Sequence, residues 1–191
     1  PQQSAQNLSV PNDAPLSVRL NCLRETGAAL VIAHRGGPTR DFPENALETL
    51  SRTQGAGALG MEIDIAESAD GVLFLMHDDD LERTSTGEGL ISETSWADIK
   101  GLNLETYTKE TDFHPPTLDS ALAWAVANNA LVELDKKRST SYDGILDAVE
   151  ANRAENNVLM ITYTDDQAVD LHTRAPDLVI TATVNSPSHL D

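Results

Sequence analysis

The chain has 191 residues, of which 40% are hydrophobic and 23% are charged, as is typical of a soluble globular protein with one sizeable core. Its 13 basic and 31 acidic residues give a formal net charge of −18, so neither nucleic acid nor an anionic lipid surface is expected as a partner. No apolar run approaches the roughly 18 residues needed to cross a bilayer, so no stable membrane insertion is expected. The single cysteine, Cys22, excludes an internal disulfide and a thiolate metal cage.

Residues 1–29 are predicted to form a polar arm followed by a helix. Residues 1–15 are rich in Gln, Asn, Ser and Pro, which is typical of an arm rather than of a signal peptide. Residues 16–26 have a loose helical spacing of apolar positions, and Gly27 is a plausible helix stop. Removal of an export signal ahead of such an arm would place the protein in the periplasm or outside the cell, with the cytoplasm as the alternative.

Short apolar runs predict three strands close together in the sequence, at residues 30–33, 59–66 and 72–76. The first is a continuous run, typical of a strand buried on both faces, and a helix is predicted after Pro43. Only about four residues separate the other two runs, whereas a parallel crossover needs a dozen or more. They are therefore expected to form an antiparallel hairpin that turns at Asp70-Gly71 and brings His77 near Glu62.

The remainder of the chain alternates helices and strands after a polar, Thr-rich insert at residues 79–116, which holds a short helix at 95–100. Helices are predicted at residues 117–129, 142–152 and 165–173, and strands at 131–135, 158–163 and 178–184. Such alternation predicts βα units around a parallel sheet. Residues 30–191 therefore form either an open sheet or the front part of a (β/α)₈ TIM-type barrel that lacks its last strands, and we favour the barrel.

Charged side chains cluster where these strands end. Glu62 and Asp64 are two residues apart and so project from one face of a strand, and "LVELDKK" repeats this spacing with Glu133, Asp135 and Lys137. One acid pair alone is typical of a solvated face. Because ligands of α/β sheets and barrels bind at the carboxyl ends of the strands, the coincidence of acids at successive strand ends favours one site at a common rim.

The other strand ends supply histidines and cations that suit metal-assisted attack on phosphorus. Converging carboxylates without thiolates favour a hard cation, Mg²⁺ or Ca²⁺. Arg35 and Lys137 are suited to bind phosphate oxygens, and His34 and His77 to act as general acid and base. The glycines after Arg35 would let the backbone turn sharply beside the ligand.

The stretches "AHRGG", "PENALETL" and "GALGMEIDIAESADGVLFLMHDDDLERTSTGEG" resemble the glycerophosphodiester phosphodiesterase family. The resemblance implies a (β/α)₈ barrel with a small insert after the His-Asp motif, and hydrolysis of a glycerophosphodiester to glycerol 3-phosphate and an alcohol. It implies that Glu62 and Asp64 are metal ligands, with Asp135 preferred to Glu133 as the third because a carboxylate, one residue and a Lys is the family's spacing. It also implies that His34 and His77 are the catalytic acid and base. The substrate-binding residues implied are Arg35, Lys137 and Asn45, the last of these in the family's Glu-Asn pair.

Two other functions remain open on the sequence. A lysophospholipase D or sphingomyelinase D-like enzyme uses a similar barrel and metal site, but its acylated substrate would need an apolar flank near the rim, and the insert shows no membrane-docking face. A non-catalytic binding barrel is the other alternative, against which the intact set of His34, Glu62, Asp64 and His77 argues.

Overall fold

The computed structural model describes residues 14–138 and 140–182, which form one six-stranded sheet with helices packed on it. The strands are β1 Ile32–Ala33, β2 Gly60–Glu67, β3 Leu73–Leu75, β4 Leu131–Lys136, β5 Val158–Thr162 and β6 Val179–Ala182. The helices are α1 Leu16–Glu25, α2 Leu47–Gly55, α3 Trp96–Ile99, α4 Leu118–Ala127, α5 Tyr142–Asn152 and α6 Asp165–Arg174. Most predicted elements are present with boundaries shifted by a few residues, and the predicted end of the last strand, residues 183–184, lies outside the described residues.

The strands follow one another across the sheet in the order β1-β2-β4-β5-β6, and all of these neighbours are parallel. A doubly wound sheet would reverse its strand order at a switch point, whereas a barrel winds in one direction. The described residues therefore form part of a (β/α) barrel, as predicted. β3 lies off this path and pairs antiparallel with β2, which confirms the hairpin.

Two elements near the start of the sheet differ from the prediction. β1 has only two residues, both half-buried, and pairs on one side with β2, while Val31 before it is 69% exposed. The prediction of a strand buried on both faces is wrong, because the side chains of β1 are only half-buried, and no described strand pairs with its outer edge. Helix α2 begins at Leu47 rather than directly after Pro43, because Asn45 has a left-handed backbone (φ 59°) that a helix does not accommodate.

The apolar core lies on one face of the sheet, and the acidic residues lie on the other. Met61, Ile63 and Ile65 of β2 are fully buried with residues of α4 and α5. Because side chains alternate along a strand, Glu62 and Asp64 project from the opposite face, which we call the inner face.

The insert at residues 79–116 shares a second, smaller apolar core with the hairpin. Leu81, Ile91, Ile99 and Leu104 are buried together with Phe74 and neighbouring residues of the hairpin. This shared core fixes the insert against the hairpin, and so beside the end of β2.

None of the helices within the described residues combines the length and the hydrophobicity that spanning a bilayer requires.

Candidate functional site

Three carboxylates converge on the inner face. β2 and β4 are paired so that Glu62 lies beside Glu133 and Asp64 beside Asp135. Oxygens of Glu62, Asp64 and Asp135 lie within 4.8 Å of one another, and all three residues are buried. Glu133 instead accepts a hydrogen bond from Thr181 Oγ1 at 2.9 Å. The geometry thus groups Asp135, rather than Glu133, with the two acids of β2.

A lysine ammonium lies between two of these carboxylates. Lys137 Nζ is 2.5 Å from Asp64 Oδ1 and 2.6 Å from Asp135 Oδ2. Burial by itself would lower the pKa of Lys137, but the hydrogen bonds to the two carboxylates outweigh burial and raise it. The sequence predicts that Lys137 contacts phosphate, whereas in the structure its contacts are with the acidic cluster.

Each carboxylate of the cluster also has a hydrogen-bond donor of its own. The backbone N–H of Arg35 donates to Glu62 Oε2 at 2.6 Å, Asn45 Nδ2 to Asp64 Oδ2 at 2.8 Å, and the Tyr163 hydroxyl to Asp135 Oδ1 at 2.6 Å. Such donors fix the orientation of the three carboxylates of the cluster.

Asn45 hydrogen-bonds to Asp64 through both the nitrogen and the oxygen of its side-chain amide. Besides the donation from Nδ2, its Oδ1 accepts the backbone N–H of Asp64 at 3.0 Å, and Asn45 is only 1% exposed. Asn tolerates the left-handed conformation that directs its side chain onto β2. The sequence predicts that Asn45 binds substrate, and the structure shows it buried against a candidate metal ligand.

A tight turn places His34 and Arg35 beside Glu62. Residues His34–Gly36 form a tight turn directly after β1, in which Arg35, Gly36 and Gly37 have left-handed backbone with φ angles of 51°, 80° and 81°. His34 Nε2 lies 4.0 Å from Glu62 Oε2, and the imidazole is 75% exposed. The predicted glycine hinge therefore leaves one imidazole open to solvent at the edge of the acidic cluster.

The acidic cluster suits a hard divalent cation. Burial, reinforced by the negative charge of Asp64, raises the pKa of Glu62 to about 7. Buried carboxylate oxygens without sulfur or imidazole ligands are the donor set that Mg²⁺ and Ca²⁺ prefer. Glu62, Asp64 and Asp135 thus fit the predicted metal centre.

A chain of ion pairs leads away from the cluster along the rim. The Arg35 guanidinium, predicted to grip phosphate, donates through Nη1 to Glu44 at 3.0 and 3.2 Å. Glu44 also accepts hydrogen bonds from both terminal nitrogens of Arg83. Arg83 donates two further hydrogen bonds to Asp78. The sequence predicts no role for Glu44, Arg83 or Tyr163, because partners separated by 28 or 39 residues leave no periodic signal.

His77 lies at the far end of this chain. Its Nδ1 is 2.6 Å from Asp78 Oδ1. The hairpin ladder pairs Ile65 with Leu75, where β3 ends, and the backbone N–H of Met76 then donates to the Asp64 carbonyl at 3.1 Å. Continued by one residue, this register places His77 opposite Ile63, one residue away from the predicted neighbour Glu62.

Parallel strands in sequential order define a (β/α) barrel protein, and the three carboxylates on the inner face of β2 and β4 form its candidate site. The glycerophosphoryl diester phosphodiesterase family matches residues 34–185, and the chain belongs to this family.

Individual relatives agree in sequence and in fold. A glycerophosphodiester phosphodiesterase of Caldanaerobacter subterraneus is 30% identical over 79% of this chain and 65% of its own length. The crystal structure of a glycerophosphoryl diester phosphodiesterase from Parabacteroides distasonis has a TM-score of 0.79 and 30% identity, covering 84% of this chain and 56% of that one. A phosphodiesterase of Oleispira antarctica in complex with its product sn-glycerol-3-phosphate has a TM-score of 0.70 and 26% identity, covering 85% and 68%. The chain spans from about a third to two thirds of the curated relatives that it matches.

Proposed function

We propose that this chain is a metal-dependent phosphodiesterase that hydrolyses a glycerophosphodiester to glycerol 3-phosphate and an alcohol. The observation that carries the proposal is the group of three buried carboxylates within 4.8 Å of one another on the inner face of β2 and β4. Membership of the glycerophosphoryl diester phosphodiesterase family supports the substrate class, as does the product bound to the Oleispira relative.

The proposed cation ligands are Glu62, Asp64 and Asp135. A divalent cation bound there would polarise a phosphoryl oxygen and neutralise developing charge. The donors described above bind one oxygen of each carboxylate, and the other oxygens of Asp64 and Asp135 contact the Lys137 ammonium, so a cation bound there would share these two oxygens with Lys137 or displace it. The Lys137 ammonium already faces Asp64 and Asp135, which supports a role for these oxygens in binding positive charge.

His34 and His77 are proposed to move the protons. One takes the proton of the substrate's glycerol 2-hydroxyl as this oxygen attacks phosphorus. The other gives a proton to the departing alcohol as its bond to phosphorus breaks, which leaves a cyclic phosphate. Water then opens the ring with the protons moving in the opposite sense, so the net reaction consumes one water molecule and yields glycerol 3-phosphate.

Release of glycerol 3-phosphate from glycerophosphodiesters with choline or ethanolamine head groups tests the proposal. Turnover is expected to be lost in EDTA and restored by Mg²⁺ or Ca²⁺. Turnover that is unaffected by EDTA would contradict the metal site, and metal binding without any turnover would favour a non-catalytic barrel. Faster hydrolysis of an acylated lysophospholipid would instead favour the lysophospholipase D alternative.

Two neutralising substitutions on the same strand test the ligand assignment. Asp135→Asn should weaken Mg²⁺ or Ca²⁺ binding in a calorimetric titration at least about 10-fold, the low end for altering a metal site. Glu133→Gln is the matched control, since a glutamine can still accept the hydrogen bond from Thr181. An equal loss of cation affinity in both variants would contradict the choice of Asp135 over Glu133 as the third ligand.

The cellular location is a separate part of the proposal. A periplasmic or secreted protein is expected from the polar N-terminal arm. Fractionation of cells that express the full gene checks this, and recovery in the cytoplasm would contradict it.

A further inference from the structure

Glu44 is a buried carboxylate held between two guanidiniums. It is 6% exposed, and it accepts hydrogen bonds from Arg35 on one side and from Arg83 on the other, the latter at 2.7 and 3.1 Å. Burial by itself would raise the pKa of Glu44, but the two arginines outweigh burial and lower it. Glu44 is therefore a fixed anion that anchors Arg83.

Arg83 uses its other edge to hold Asp78. Its Nε donates to Asp78 Oδ2, and its Nη2 donates to Asp78 Oδ1 at 3.1 Å. A guanidinium that binds both oxygens of a carboxylate fixes the plane of that carboxylate as well as its distance. Arg83 belongs to the insert, so the fold of the insert sets the position of Asp78.

Asp78 in turn contacts the ring of His77, through the 2.6 Å separation of Oδ1 and Nδ1. Hydrogen bonding to Arg83 lowers the pKa of Asp78 to about 2. An ionised carboxylate can only accept hydrogen bonds, so the proton between the two groups belongs to Nδ1. In the neutral imidazole Nε2 is then the unprotonated nitrogen, available to exchange a proton.

We propose that Asp78 is a positioning residue for His77, and that Arg83, anchored on Glu44, holds Asp78 so that His77 carries its proton on Nδ1 and presents Nε2 to the substrate. This rests on the proposed function in so far as His77 is taken to move a proton in the reaction. An isolated surface ion pair would do little, since solvent screens such pairs and their side chains lose entropy when they form. Here the anchor is buried and both carboxylates are bound by both of their oxygens, which makes orientation the physical role.

The tautomer of His77 can be measured without substrate. Long-range ¹H–¹⁵N spectra of protein labelled with ¹⁵N-histidine distinguish the two neutral tautomers, and His77→Gln assigns the signal. The wild type is expected to show the Nδ1–H form. Asp78→Asn is expected to populate the Nε2–H form, because the new amide can donate to Nδ1. A wild-type Nε2–H form, or a spectrum unchanged in Asp78→Asn, would overturn the proposal.

Kinetics test the functional consequence of the same substitution. Asp78→Asn should lower kcat by about 10- to 100-fold with little change in KM, a part of the 10²–10⁴-fold that a general acid or base contributes. The neighbouring exposed Asp79 gives the matched control, Asp79→Asn, which should behave as wild type. A wild-type kcat in Asp78→Asn would also overturn the proposal. The expected spectra together with a wild type that lacks turnover would support the proton placement and refute the proposed hydrolysis.

Discussion

Alanine at Gly36 should destabilise the turn that carries His34 and Arg35. Gly36 has a φ of 80°, a conformation that L residues with a Cβ rarely adopt. A Cβ built at this position would lie 2.7 Å from Leu50 Cδ2, well inside van der Waals contact, and Leu50 is fully buried in the main core. The substitution therefore combines backbone strain with overpacking.

The two effects can be given separate magnitudes. Left-handed backbone costs an alanine roughly 1–2 kcal/mol. Forcing an extra carbon into a packed core costs typically about 1–3 kcal/mol. Gly36→Ala should therefore lower the free energy of unfolding by about 2–5 kcal/mol, an amount that urea denaturation followed by circular dichroism can measure.

Gly27→Ala separates the two contributions. Gly27 also has a positive φ, 70°, but a Cβ there would meet no heavy atom within 4 Å. This variant should show the strain cost alone, about 1–2 kcal/mol. If both variants lose the same stability, the contact with Leu50 has no energetic role. If Gly36→Ala is as stable as the wild type, the described geometry of the turn is wrong.

Three further substitutions test the site. Asn45→Ala removes the acceptor of a buried Asp64 N–H, so unfolding free energy in urea should fall by roughly 1–3 kcal/mol. Tyr163→Phe removes only the hydrogen bond to Asp135, and calorimetry should show about 10- to 100-fold weaker cation binding with near-normal stability. The lowered pKa of Asp78, about 2, means that its ion pairs stabilise the fold above pH 4 and are lost as pH falls towards 2. The stability difference between wild type and Asp78→Asn, roughly 1 kcal/mol at pH 5 after allowance for solvent screening, should shrink over that range.

The alternation of helices and strands along the chain made the sheet predictable from sequence. The alternation of side chains along β2 did the same for its acid pair. A period of two places Glu62 and Asp64 on one face whatever the rest of the chain does. The same period cannot choose between Glu133 and Asp135, because both project from the same face of β4. Their environments differ through contacts that this period does not encode, since Thr181 contacts Glu133, whereas Lys137 and Tyr163 contact Asp135.

Other features depend on contacts or backbone angles that leave no pattern in the sequence. The apolar run at residues 30–33 looks the same whether it ends in a central strand or at the edge of the described sheet. Asn45 lies next to a helix-forming stretch, but its left-handed conformation is stabilised by Asp64, 19 residues away. The contact between Glu44 and Arg83 spans 39 residues and joins a loop to the insert.

The charges around the site do not balance within the protein. Five carboxylates and three permanent cations are linked by the ion pairs and hydrogen bonds described here, and they are Glu44, Glu62, Asp64, Asp78 and Asp135 with Arg35, Arg83 and Lys137. With both histidines neutral and Glu62 ionised, the excess is two negative charges. A net charge of −18 for the whole chain only adds to the repulsion that a phosphodiester would meet. One divalent cation at the three-carboxylate cluster would remove the local excess, so a substrate anion could approach a rim that is locally neutral.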